Sequence, residues 1–337
     1  MHAAAINLRG GVSPRVIRLR GQSIIEYVLI IAVIGLVIVF AGPGVAGAIR
    51  NQFNLVGNTV NSGTGAGTEG GGASGGGSTG ADSATVQAAI AKDAKDWTLD
   101  EQEAFAKDIS KNGTSSIAYA KAKAAMDAGT RFSVKLTNGE TMTYRIIGIN
   151  HDDLTDGSGK AGLTFLTTNE AVGRYRMNAE NSAAGGWEKS ELRAKMNSGE
   201  IWNLMPSDFQ SKVKAVRKLT NNVDGADANA AVTATSDKLF LLSYSELVPT
   251  SYWASKCPWT SSEGTQYEAF KGKVTNNNSS NNGLSISING GYWWERSPQP
   301  LYNGLWTTAR FLHVSYGDPS KGWQANGSSY VCPAWCF

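Results

Sequence analysis

Three patterns of apolar and polar positions divide the 337-residue chain. The first is an apolar run: no charged residue occurs from Val28 to Ala48, and Val28 to Phe40 is almost wholly Ile, Val and Leu. At about 1.5 Å per helical residue this run can cross a bilayer core, which predicts a membrane helix. The second lies between Ala84 and Ala128, where Leu99, Phe105 and Ile109 recur at near-helical spacing and Thr98 followed by Glu101 makes a capping-box pattern. It predicts two or three short helices that pack on the domain C-terminal to them, with Gly113 and Gly129 as stops.

The third pattern is strand-like. Arg131 to Leu136 and Thr141 to Ile149 alternate apolar and polar residues around Asn138-Gly139, the strongest short-range hairpin signal. After a polar loop (Asp152 to Lys160), the pattern predicts a strand at Leu163 to Thr167 and helices at Glu188 to Met196 and Pro206 to Val216. A further strand is predicted at Lys238 to Ser243 and a last one at Tyr330 to Phe337, with a loop-rich tract of Asn, Gly, Ser and Trp between them. Strands at both ends with helices between predict an α+β domain.

Composition separates these regions. Ten of the nineteen residues from Ser62 to Gly80 are Gly, and most of the rest are Ser, Thr and Ala. Such a stretch buries no core and predicts a flexible tether spanning roughly 25 Å.

The net charge of +3 depends on Arg9, Arg15, Arg18 and Arg20, which lie in an acid-free stretch of 21 residues. The remainder carries 27 basic and 28 acidic residues, a balance with no electrostatic footprint for nucleic acid. The same four arginines keep the N-terminus cytoplasmic and send everything after Ala48 outward.

Glu26, beside Tyr27 at the head of the apolar run, is costly to bring into lipid and calls for a partner. The stretch Arg20-Gly21-Gln22-Ser23-Ile24-Ile25-Glu26-Tyr27-Val28-Leu29-Ile30-Ile31 resembles the class III signal peptide of Flp-type pilins. That resemblance implies a prepilin peptidase that cuts after Gly21, leaving Gln22 as the new N-terminus. It also implies assembly with other pilin subunits, in which Glu26 neutralises a neighbour's terminal amine. The alternative is an ordinary signal anchor that is never cut. The expected organisation is a leader at 1–21, a pilin-like membrane helix at 22–60, the linker at 61–83, a helical spacer at 84–129 and a ligand-binding domain at 130–337.

Four blocks carry a second resemblance: Gly186-Trp187-Glu188-Lys189-Ser190-Glu191-Leu192-Arg193, Asp237-Lys238-Leu239-Phe240-Leu241-Leu242-Ser243, Trp293-Trp294-Glu295-Arg296-Ser297-Pro298 and Val331-Cys332-Pro333-Ala334. In order they resemble the DUF6273 family, which is similar to the C-type-lectin fold in the branch of formylglycine-generating enzymes and variable proteins of diversity-generating retroelements. Cys332 stands where that pattern usually has Arg. The resemblance implies a C-type-lectin-like domain whose late surface residues are rewritten by adenine mutagenesis between constant blocks.

The mixed tract from Ser297 to Tyr330 fits that position. The candidate binding face is Gln299, Leu301, Tyr302, Leu305, Trp306, His313, Ser315, Tyr316, Asp318, Ser320, Trp323, Ser328 and Tyr330, with Asn303 and Asn326 as unchanged template positions. Tyr and Trp supply large rigid contacts at low entropic cost. Tyr302, Trp306, Tyr316 and Trp323 are expected to be exposed, and Trp293, Trp294 and Phe311 to be core.

The expected function is a ligand-binding protein displayed at the cell surface or on an extracellular pilus, taking an unknown protein or glycan. Two alternatives stand beside it, a structural minor pilin with fixed decoration and a formylglycine-generating-enzyme-like oxidase. Cys332 and Cys336 echo that oxidase's cysteine pair, although four residues along a strand put them about 13 Å apart. A link from Cys257 to either is open in an exported domain. His2, His151 and His313 are too scattered for a metal site or triad, and no cofactor is implied. Asp152, Asp153, Asp156 and Gly157 miss the EF-hand spacing and read as a solvated turn. The sugar-and-calcium signatures Glu-Pro-Asn and Trp-Asn-Asp do not occur, so the fold name does not imply sugar binding.

Overall fold

A computed structural model describes residues 79–223, 231–250, 262–275, 284, 291–299 and 309–337. The expected leader, membrane helix and Cys257 lie outside them, as does the tether up to Ser78. Among the described residues no helix is long and apolar enough to cross a membrane.

Helix α1 (Thr79–Ile90) begins inside the stretch read as linker. Helix α2 (Leu99–Asn112) starts at the expected capping box: Thr98 accepts from the Glu101 amide while Glu101 accepts from the Thr98 amide. It stops at Gly113, whose φ of 56° suits glycine. Helix α3 (Tyr119–Asp127) follows, and Gly129 takes φ 64° just beyond it. The three helices share the core of the domain. Trp97 packs against Phe105 at 4.4 Å and stacks on Phe132 at 5.9 Å between ring centres, and Tyr144 donates its hydroxyl to Gln102 at 3.1 Å. At Gly162 a Cβ would lie 1.9 Å from the Ala106 carbonyl oxygen. Only glycine lets the chain pass this close to α2.

The hairpin of β1 (Arg131–Lys135) and β2 (Thr141–Ile149) forms as its alternation requires, with Gly139 at φ 91° in the turn. Strand β3 (Leu163–Thr167) and the C-terminal β11 (Ala334–Cys336) complete an antiparallel sheet ordered β1-β2-β3-β11. The last residues are therefore central to the core: Trp335 stacks on Phe165 at 5.7 Å and meets Tyr144 and Phe209 edge-on. Truncating such a ring costs roughly 3–5 kcal/mol.

A second sheet, ordered β4-β10-β7-β8-β9, contains β4 (Arg174–Arg176), β7 (Tyr292–Pro298), β8 (Arg310–Ser315), β9 (Asp318–Gln324) and β10 (Ser328–Tyr330). Its pairs are antiparallel except β10 with β7. Between β4 and β7 in sequence come α4 (Glu191–Asn197), α5 (Glu200–Leu204), α6 (Ser207–Lys212), the hairpin β5 (Val216–Asn221) with β6 (Val232–Asp237), and α7 (Tyr244–Leu247). The fold is α+β.

Four expected elements are corrected. Lys238 to Ser243 is not a strand: Asn197 accepts from the Lys238 and Leu239 amides, and Phe240 makes only an isolated bridge to Ala334. The first middle helix begins at Glu191, because Ser190 caps it by accepting from Arg193. The second ends at Lys212, and Val216 opens β5. The run Tyr330 to Phe337 is broken into β10 and β11 around Pro333, which has no amide for a ladder.

Candidate functional site

Strand alternation and one tight turn build an aromatic row on the second sheet. Tyr316 and Gly317 join β8 to β9 with φ of 48° and 83°, the two positive values that a two-residue hairpin turn needs. Tyr316 is thereby held at the tip, 63% exposed. Its ring meets Tyr292 at 5.0 Å; Tyr292 lies 5.8 Å from His313, and His313 lies 6.0 Å from Trp323. Tyr292 and Trp323 are 40% and 47% exposed. Trp293, Trp294 and Phe311 are core, as expected.

Beside this row lies a partly open pocket of ≈ 210 Å³ lined by Arg174, Tyr292, His313, Trp323, Ser328 and Ser329. His313 is buried, and burial lowers its pKa to about 4; Asp318 works against the shift, while Arg310 and Lys321 add to it. The ring is neutral at pH 7. Neither His313 Nδ1 nor Ser329 Oγ, both buried, has a hydrogen-bond partner. Arg174 donates to the Ser328 carbonyl at 2.8 Å and lies 5.3 Å over the Tyr330 ring.

The expected face is therefore only partly a face. Tyr316, Trp323 and Ser328 are exposed, and Ser315, Ser320 and Tyr330 are half-buried. Gln299, His313 and Asp318 are buried. Gln299 lies across Gly322, where a Cβ would come within 1.5 Å of its Oε1. Asp318 folds back on its own strand, accepting from Ser320 and pairing with Lys321 at 3.0 Å. Leu301, Tyr302, Leu305 and Trp306, with Asn303, lie outside the described residues, as do Gly21, Gln22, Glu26 and Tyr27. Arg174, Tyr292 and Ser329 were not among the expected residues. Tyr292 adjoins the Trp293-Trp294 block, but no local pattern marks Arg174 or Ser329, which join the pocket only because β10 pairs with β4 and β7.

The four sequence blocks meet in hydrogen bonds, the last joining the second through paired backbone bonds between Phe240 and Ala334. Trp187 and Arg193 both donate to Asp237, at 2.9 and 2.6 Å. Arg296 donates to Glu246 and to the carbonyls of Leu219, Leu241 and Glu263, and Ser297 donates to Glu263. Asp152 is not in a solvated turn: it is buried and accepts from Lys218, Tyr267 and Thr164. Burial works to raise its pKa, yet the Lys218 and His151 charges hold it well below the carboxylate range. Asp153 and Asp156 are exposed.

Cys332 and Cys336 are buried free thiols. Burial pushes both pKa values well up, and the nearby carboxylates of Glu170 and Asp152 push the same way, so neither is a thiolate at neutral pH. No cluster of three or more His, Cys, Asp or Glu among the described residues could hold a metal ion.

No curated protein and no solved structure matches the chain. A family model described as Domain of unknown function (DUF6273) matches residues 161–336, more than half of the sequence. This span takes in β3, the hydrogen bonds of Asp237 and Arg296, the second sheet and β11. The chain belongs to the DUF6273 domain family.

Proposed function

We propose that this chain is a surface-displayed ligand-binding protein, carried by an Flp-pilin-like helix and presenting a C-type-lectin-like DUF6273 domain whose second sheet binds the ligand. The observation that carries the reading is the row Tyr316, Tyr292, His313 and Trp323, in which three large rings remain exposed beside a pocket. A fixed decoration gains nothing from exposed rings, whereas a binding face uses them as rigid contacts. The β1–β2 hairpin and the C-terminal strand sharing one sheet support the lectin-like reading. Buried, protonated cysteines favour binding over the oxidase alternative.

Diversification by a retroelement fits the arrangement of a buried framework (Arg296, Ser297, Cys332) around the mixed residues of β8, β9 and β10. The encoding locus tests it. A reverse transcriptase gene and a near-copy of the codons for Arg296 to Phe337, differing only where the copy has adenine, are expected; the lack of both would end that part of the reading. Mass spectrometry of surface-exposed protein should find a mature chain that starts at Gln22. An intact leader there would replace the pilin reading with an uncut anchor.

A further inference from the structure

We infer that the pocket between Arg174 and Trp323 takes a small aromatic acid, its ring lying among Tyr292, His313 and Trp323 and its carboxylate meeting Arg174. This rests on the proposed ligand-binding role and names the ligand's chemistry. At ≈ 210 Å³ the space is smaller than the roughly 300 Å³ at which drug-sized sites begin, so it suits a single ring with short substituents. Its walls are three aromatic rings, which favour stacked or edge-on contact with another ring.

The polar groups of the lining differ in exposure, His313 and Ser329 being buried and Arg174 exposed. Among the lining residues, His313 Nδ1 and Ser329 Oγ are buried without partners. Such groups are costly unless an occupant completes them, and a ring hydroxyl can do so. Arg174, exposed in the same lining, supplies a cation, while Arg310 and Lys321 make the surroundings of His313 more positive and Asp318 opposes them. Asp318 is itself engaged by Lys321. An exposed arginine lining an apolar pocket selects a carboxylate through charge-assisted hydrogen bonds. A hydroxyphenyl ring carrying a carboxylate satisfies both ends at once. Such a group occurs in free aromatic acids and at a protein chain ending in tyrosine.

The test is calorimetric titration of the full chain in detergent with N-acetyl-tyrosine, N-acetyl-tyrosinamide and glucuronate. N-acetyl-tyrosine should bind, the amide about tenfold or more weaker, and glucuronate weaker still. Arg174→Gln should erase the preference for acid over amide, and Trp323→Ala should weaken both. A peptide ending in a free tyrosine carboxylate distinguishes the sources: tighter binding than N-acetyl-tyrosine points to a protein C-terminus, and equal binding to the free acid, and either sustains the inference. Equal affinity for acid and amide, a preference for glucuronate, or no binding by any tyrosine probe overturns it. If it fails while the locus carries the adenine-templated copy, the binding face stands with another ligand class; if both fail, the proposed function falls as well.

Discussion

Arg296 grips Glu246 through both ends of its guanidinium, Nη1 to Oε2 at 2.5 Å and Nη2 to Oε1 at 2.9 Å, with both residues buried. Lys218 adds a second cation to Glu246 at 2.6 Å and reaches Asp152 at 2.7 Å. These pairs tie β5, α7 and β7 to the loop before β3. Removing one member leaves an uncompensated buried charge, which costs about 3–5 kcal/mol. Arg296→Met should therefore lower the unfolding free energy by about that amount in denaturant titration. Arg296→Lys should recover little of it, because an ammonium cannot serve Glu246 and the Leu219, Leu241 and Glu263 carbonyls together.

The turn at Tyr316 stores local strain. A tyrosine at φ 48° costs on the order of 1 kcal/mol, less for asparagine and more for a β-branched residue. Tyr316→Asn and Tyr316→Val both lose the ring contact with Tyr292, so their difference isolates the backbone. The Asn variant should melt higher than the Val variant by the equivalent of about 1 kcal/mol. Equal melting temperatures would remove the strain from the account.

Two glycines make room for side chains of the second sheet. A Cβ at Gly327 would lie 2.3 Å from Trp323 Nε1, and one at Gly322 1.5 Å from Gln299 Oε1. Gly327→Ala should shift the exposed indole, changing its fluorescence and weakening N-acetyl-tyrosine binding with little loss of stability. Gly322→Ala must displace a buried amide and should cost about 1–3 kcal/mol. Thermal denaturation of the two variants checks that order.

Acid should weaken the fold at His313. Its folded pKa of about 4 lies below the ordinary 6.5, so between these values the unfolded chain binds the extra proton. The contribution is complete above pH 6.5 and is lost as pH falls through 4, to a total of about 3 kcal/mol. Glu263 runs in the opposite sense: burial raises its pKa from 4.5 to about 7, so its contribution is lost as pH rises through that window. His313→Phe should flatten the acid side of the stability curve, measured by denaturant midpoints from pH 4 to 7.

Glu295 is buried with neither carboxylate oxygen hydrogen-bonded. Burial raises its pKa well above 4.5, and Glu263 and Asp318 raise it further. A carboxyl that stays protonated in the fold but ionises when unfolded loses stability for the chain as pH rises above 4.5. Glu295→Gln, neutral in both states, should therefore stabilise the protein more at pH 8 than at pH 5. A gain independent of pH would place the effect elsewhere.

What the sequence determined alone was local. Asn138-Gly139 required a hairpin, Thr98 and Glu101 a helix start, Gly113 that helix's end, Gly129 the end of the helix that follows, and the order of elements an α+β domain, because each depends on residues a few positions apart. The ordered blocks were also legible as a family. Their purpose was not: Trp187, Arg193 and Asp237 form one hydrogen-bonded cluster only after folding. Tertiary structure turned Lys238 to Ser243 from a strand into a connector, since Asn197 takes its first amides. It buried Asp152 against Lys218 and sent Gln299, His313 and Asp318 inward from an expected face. It also brought Arg174 and Ser329, about 155 residues apart in sequence, to one pocket through the pairing of β4 and β10. Periodicity reports which face of its own element a side chain occupies; which other element covers that face is decided by pairings across the whole chain.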